Sequence, residues 1–240
     1  MNWNHLENHW KDGNSGEEWA DWSPEKPDKL TIYPSLTQTF KALGGLTWEP
    51  RTHLFLGLNP ENGGAEMMDL RRPRSFIIDD SHYAGTDILQ TVVMGMQLRD
   101  NQRNFPITVL TEESRSWDQL NKKFPKIKVA TTHRHLPECH EVLRSLIFNK
   151  HRPHFLVIDN LADLLWLDPN TESILEILIK SAAETNGVYV LASVGPMHNI
   201  KSDNKLNDWT HNGNILYAET IDTNIIRLSD NTNISVPRPE

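Results

Sequence analysis

Cysteine is all but missing from this chain: its 240 residues hold one, Cys139, which excludes an internal disulfide and suits a reducing compartment. Long apolar runs are missing too. No stretch approaches the ~20 consecutive apolar residues that cross a bilayer as a helix. The N-terminus is acidic and Trp-rich, without the apolar core of a signal peptide. A chain that does not itself cross a membrane is expected, and it is compatible with a membrane-anchored parent from which it is cut. An excess of basic residues is also lacking. With 24 Lys and Arg against 32 Asp and Glu, the formal net charge of -8 gives no general electrostatic case for nucleic acid. What the chain does have is length, and one α/β domain with a terminal extension fits it better than two full domains.

The stretch Ser75 to Thr91, SFIIDDSHYAGTDILQT, organises the rest. Phe76-Ile77-Ile78 predicts an apolar strand, Asp79 to Gly85 a polar turn, and Thr86 the opening of a helix that continues through Asp87-Ile88-Leu89. Strand, loop and helix in that order frame a phosphate-binding loop, where backbone N–H groups and a helix N-terminus hold phosphate. A working loop reads G-x-x-x-x-G-K-[ST], because glycines let the backbone wrap the phosphates and the Lys neutralises them. On that template Asp79 stands for the first Gly, Ala84 for the second and Gly85 for the Lys, while Thr86 alone is kept. Asp79 and Asp80 bring negative charge to a place where a triphosphate would bring more. The stretch reads as a degenerate nucleotide site.

In chain order, segment 1–28 is polar, with Trp3, Trp10, Trp19 and Trp22 among acids, Asn and Gly, and reads as an arm or linker ahead of a domain spanning 29–240. Leu30 to Trp48 holds a short helix-like piece. His53 to Leu58 and Ala65 to Leu70 predict two strands of a hairpin about the turn Asn59 to Gly64. After the central loop, Ile88 to Leu98 has apolar residues at helical spacing and is the expected crossover helix. Strands are expected at Ile107 to Leu110, Lys126 to Ala130, His154 to Asn160 and Val188 to Ala192, with closing strands at Ile215 to Ala218 and Asn224 to Leu228. Helices are expected at Ser114 to Lys123, His140 to Asn149 and Glu172 to Glu184. Strand and helix alternate through most of the chain, which argues an α/β fold with a mostly parallel sheet covered on both faces.

A second nucleotide signature is an apolar strand ending in a carboxylate that holds the water shell of Mg²⁺, and PHFLVIDN offers Asp159. In many hydrolases the next residue is an acid that activates water. Here it is Asn160, which cannot act as a base. The pairing of such a strand with a strand-loop-helix about 70 residues earlier follows the βαβ order of these folds.

On these residues the chain resembles an FtsK/SpoIIIE-type ATPase domain. The run THLFLGLNPENGGAEMMDLRRPRSFIIDDSHYAGTDILQTVVMGM looks like the entry to such a domain, PHFLVIDNLADLL like its Walker B strand, and VYVLASVG like the strand that follows. The resemblance runs roughly from Leu30 to Leu228. It is most like the last, degenerate ATPase domain of type VII secretion motors of the EssC/EccC kind. It implies a RecA-like P-loop NTPase fold in a cytoplasmic domain of a membrane-anchored bacterial secretion protein. Carried over, the phosphate-binding Lys falls on Gly85, the loop glycines on Asp79 and Ala84, and the second Walker B acid on Asn160; only Thr86 and Asp159 match. Losing the Lys and the flexible glycines removes several charge-assisted hydrogen bonds, each worth roughly 1.5–3 kcal/mol. The expectation is therefore a pseudo-ATPase domain without ATP or Mg²⁺ as cofactor. Its implied partners are secreted substrate proteins and neighbouring ATPase domains of the same motor. The alternative is an active ATPase domain of a secretion motor or DNA translocase with an unusual loop, holding ATP and Mg²⁺.

Other groupings carry less. THRHLPECH brings together His133, His135, Cys139 and His140, types that zinc accepts, yet the spacing matches no structural zinc pattern and the run reads as a loop entering the His140 helix. Cys139 with a neighbouring His lacks an orienting third group for nucleophilic work and reads as a small buried apolar residue. Arg71-Arg72-Pro73-Arg74 and Lys122-Lys123 read as solvated faces rather than phosphate or acidic-partner contacts.

Overall fold

Apolar runs long enough to be buried on both faces form the centre of the sheet. The computed structural model of the chain describes residues 34–44, 52–71, 75–99, 105–131, 136–148, 153–167, 170–179, 187–195 and 215–239. The Trp-rich segment 1–28 lies outside them, as do Arg72, Pro73, Arg74, His133 and His135. The elements run α1 (Leu36–Ala42), β1 (His53–Leu58), β2 (Ala65–Asp69), β3 (Ser75–Asp79), α2 (Gly85–Leu98), β4 (Ile107–Thr111), α3 (Ser114–Lys123), β5 (Ile127–Thr131) and α4 (Leu136–Ile147). They continue with β6 (His154–Asp159), α5 (Leu161–Leu167), α6 (Thr171–Ile177), β7 (Val188–Val194), β8 (Ile215–Asp222), β9 (Ile225–Leu228) and β10 (Asn233–Ser235).

These strands form one ten-stranded sheet in the order β2-β1-β10-β9-β8-β3-β7-β6-β4-β5. From β8 to β5 every pairing is parallel, as the apolar runs of β3, β4, β6 and β7 predict. The hairpin β1–β2 and the strands β9 and β10 extend it with antiparallel pairings. Side chains alternate across the parallel half. Phe76, Ile78, Val109, Phe155, Val157 and Leu191 join the core under α1, α2 and α3. Ile77, Leu110, Leu156, Ile158, Val190 and Ala192 join the core under α4, α5 and α6. The period of two thus divides each strand between two layers of helices.

Local chemistry sets several ends. Ser35 opens α1 as a capping box: its hydroxyl accepts from the Gln38 N–H at 3.3 Å, and the Gln38 side chain accepts from the Ser35 N–H at 3.0 Å. Gly57 in β1 is required by close approach, since a Cβ there would lie 2.5 Å from the Ser235 carbonyl oxygen of β10.

Some elements differ from the expected ones. α4 begins at Leu136 rather than His140, because Pro137 sits in its first turn, where the missing N–H costs nothing. Cys139 and His140 are consequently helical. Strand β10 has three residues and α5 seven, too short for a periodic signal. The expected helix Glu172 to Glu184 is present as α6, and its final residues lie outside the described ones.

His154, the first residue of β6, is held against the Thr108 hydroxyl at 2.9 Å. Burial, with a contribution from Lys128, pulls its pKa down from 6.5 to about 4. The folded protein therefore keeps this ring neutral where the unfolded chain protonates it, so its contribution is complete above pH 6.5 and is lost as pH falls toward 4. A loss of roughly 3 kcal/mol at most is expected across that window. Urea unfolding of wild type and His154→Gln at several pH values checks it: the difference between the two should vary with pH across the window, and a constant difference would refute the assignment.

Candidate functional site

The C-terminal ends of β3, β6 and β7 converge on the start of α2. Between β3 and α2 the backbone turns through Asp80 to Ala84, with Tyr83 at a φ of 57°. Fixed partners hold this loop. The Asp80 N–H donates to the Val194 carbonyl at 2.8 Å. The His82 N–H donates to the Thr220 hydroxyl oxygen at 3.2 Å, and that hydroxyl donates to the Asp79 carbonyl at 3.1 Å. At the helix start the Ala84 N–H donates to Asp80 Oδ1 at 2.7 Å, and the Gly85 N–H donates to the same carboxylate. Two backbone donors of the kind that would hold phosphate are thus taken by Asp80.

The two acids that the sequence places side by side part company. Asp79 accepts from the Tyr217 hydroxyl at 2.7 Å, which joins it to β8; burial first, and then this bond, push the phenol pKa up. Asp80 is 8% exposed and lines the cavity. Its pKa is raised, chiefly by burial and further by Asp159 and Asp79, against the lowering effect of the two N–H donors.

Asp159 is the hub of the site. The Thr86 hydroxyl lies 2.9 and 3.0 Å from its two oxygens, the Trp117 indole N–H donates to Oδ2 at 2.9 Å, and the Ser193 hydroxyl donates to Oδ1 at 3.1 Å. These donors come from α2, α3 and β7, so three elements are tied to the end of β6. Asn160 has a different role. Its side-chain oxygen accepts from the Ala162 N–H at 2.9 Å and the Gly195 N–H at 3.0 Å, capping α5 and joining it to the end of β7. Its amide is oriented by backbone and offers no base.

A cleft of about 770 Å³ opens over these residues. Its described lining carries five carboxylates, Asp80, Glu112, Glu113, Asp159 and Asp163, against one basic side chain, Arg115. Burial and the charges of Glu112 and Asp159 raise the pKa of Asp163. The cleft is large enough for a nucleotide, but its residues do not fit a magnesium-bound phosphate chain. Position 85 has no side chain, the N–H groups of Ala84 and Gly85 are taken by Asp80, and the surrounding carboxylates repel phosphate. A Cβ on Gly85 would lie 2.6 Å from Ser193 Cβ and 2.8 Å from Asp80 Oδ2, so the site has no room where a phosphate-binding Lys would begin.

No protein-family model and no curated protein sequence matches the chain. Solved structures do. The cytoplasmic domain of the type VII secretion ATPase EccC of Thermomonospora curvata superposes with a TM-score of 0.64 at 10% identity, over 86% of this chain and 32% of that one. EssC ATPases 2 and 3 of Geobacillus thermodenitrificans give 0.61 at 15% identity, over 88% and 45%. The fold is that of an EssC/EccC ATPase domain. T. curvata EccC ATPases 2 and 3 in complex with a signal sequence peptide give 0.54 at 12% identity, over 79% and 41%. The chain spans half or less of these EssC and EccC structures. Among its described residues, no helix is long and apolar enough to cross a membrane.

Within this EssC/EccC-type fold the structure brings Asp80, Ala84, Gly85, Thr86, Asp159 and Asn160 to one end of the sheet and turns Asp79 toward Tyr217. Trp117 and Ser193 were missed as site residues. Ser193 carried a faint signal, a hydroxyl near the end of an otherwise apolar strand; Trp117 carried none. Cys139 is fully buried among apolar side chains, and His140 lies on α4 beside exposed Phe148. No group of three metal-binding side chains forms among the described residues. Arg71 pairs with Asp69 at 2.9 Å. Lys122 and Lys123 occupy the last turn of α3, where the helix dipole favours them.

Proposed function

We propose that this chain is a degenerate ATPase-type domain of a type VII secretion motor, which does not hydrolyse ATP and serves to recognise secreted substrate proteins or to regulate the motor. The observation that carries the reading is at Gly85: the helix that should open on a phosphate-binding Lys opens on a residue with no room for a side chain. The likeness to EssC and EccC ATPase domains supports the type of machine, and the EccC complex with a signal sequence peptide supports a peptide-bearing partner. Its partners are then secreted proteins and the neighbouring ATPase domains of the same chain. Membrane attachment is through a parent protein, with this domain on the cytoplasmic side. Docking would bias the motor by differential affinity for its states.

A calorimetric titration with ATP and Mg²⁺ tests the reading directly. No heat of binding up to millimolar ATP is expected, in wild type and in Thr86→Ala alike. One observation favours the alternative of an active ATPase domain: the Thr86 hydroxyl and Asp159 carboxylate, the pair that would serve Mg²⁺, lie within 2.9 Å. Tight ATP binding that Thr86→Ala abolishes would establish that alternative and overturn the proposal.

A further inference from the structure

The start of α2 already holds an anion, and it belongs to the chain itself. Ala84, at the N-cap position, makes no side-chain capping bond, and the 14-residue helix behind it leaves N–H donors and the positive end of its dipole facing the cleft. In a phosphate loop these would meet a phosphate oxygen. Here they meet Asp80, a residue only 8% exposed, whose carboxylate accepts from the N–H groups of Ala84 and Gly85. The second carboxylate oxygen lies so close to the helix start that a Cβ on Gly85 would be 2.8 Å from it.

We propose that the Asp80 carboxylate is a resident substitute for phosphate, occupying the anion position at the start of α2 and closing the loop to phosphate-bearing ligands. This rests on the reading of the loop as a degenerate nucleotide site, and it adds a cause. The loop is not merely stripped of its Lys and glycines but filled. Burial and the charge of Asp159 both oppose ionisation of this carboxylate and leave its pKa raised, and the backbone hydrogen bonds and the helix dipole offset only part of that cost. An ordinary helix cap would share the hydrogen bonds. It differs in what its removal does: a cap's loss lowers stability only, whereas removing a phosphate substitute opens an anion site.

The experiment titrates inorganic pyrophosphate, without metal, into the wild-type chain, Asp80→Gly and Asp80→Ser, with circular dichroism to confirm the fold of each. Wild type should show no saturable binding. At least one variant should bind pyrophosphate saturably, about tenfold or more tightly than the weakest affinity the titration would have detected in wild type, with a rise in thermal midpoint on adding the ligand. If folded variants bind no better than wild type, Asp80 is only a cap and the inference fails, while the reading of a loop that holds no nucleotide stands. If wild type itself binds pyrophosphate, the loop is open; that result overturns both. Should neither variant fold, the carboxylate is a structural strut, and the proposal is overturned in favour of that role.

Discussion

Trp117→Ala is expected to lower the unfolding free energy by roughly 3–5 kcal/mol, the range for truncating a large buried aromatic. Trp117 is fully buried on α3, and its indole N–H donates to Asp159 Oδ2 at 2.9 Å. Truncation therefore leaves a cavity in the core beneath α1, α2 and α3 and removes one donor from the hub carboxylate. For a domain of this size the thermal midpoint should fall by on the order of 10 °C. Trp117→Phe separates the two contributions. It keeps most of the buried volume and loses the donor, while the Thr86 and Ser193 hydroxyls remain on the same carboxylate. A cost of about 1–3 kcal/mol is expected for the Phe variant. Thermal and urea unfolding of both variants check this. A loss below about 1 kcal/mol for Ala would contradict the burial, and equal losses for Ala and Phe would mean that the hydrogen bond, not packing, dominates.

The frame of the site could be read from the sequence because its signals are local. Phe76-Ile77-Ile78 is an apolar run followed by polar residues and then helical spacing, and His154 to Asp159 is a second apolar run ending in an acid. Both give burial patterns that neighbouring residues decide together. The interior of the site depends on contacts that no window spans. Trp117 and Asp159 are 42 residues apart, Ser193 and Asp159 34, and Tyr217 and Asp79 138. Asp79 and Asp80 show the difference most clearly. As text they are an equal pair of charges. In the fold Asp79 is the last residue of β3 and Asp80 the first beyond it, so their side chains diverge: one meets the β8 phenol and the other the helix start. Of the pair only Asp80 bears on a ligand in the cleft. Likewise the loss of a base at Asn160 was evident from its side chain, but its use as a cap for α5 required the positions of Ala162 and Gly195.

Gly85→Lys, which restores the residue a phosphate loop would carry, is expected to destabilise the protein and leave it unable to bind ATP. The first obstacle is steric. The new Cβ would lie 2.6 Å from Ser193 Cβ, which is fixed to the central strand β7 and 2% exposed in the residue as a whole, so the neighbour cannot simply rotate away. Replacing Gly within a helix gains at most about 1 kcal/mol of propensity, whereas forcing atoms into a packed site costs about 1–3 kcal/mol. The contact wins, and a net loss of roughly 1–2 kcal/mol is expected, with Gly85→Ala showing most of it. The second obstacle is electrostatic: an ammonium group there would be drawn to Asp80, Asp159 and Asp163 rather than left free for phosphate. Ser193→Gly provides the internal check, because it removes the atom that the new Cβ meets. Combined with Gly85→Lys it should recover stability relative to the sum of the single changes, a coupling of about 1 kcal/mol or more, without restoring ATP binding. Denaturant unfolding gives the coupling and calorimetry the binding. A Gly85→Lys protein that is as stable as wild type, or that binds ATP with millimolar affinity or better, would show that the loop can reopen around a Lys and that its closure at Gly85 is not steric.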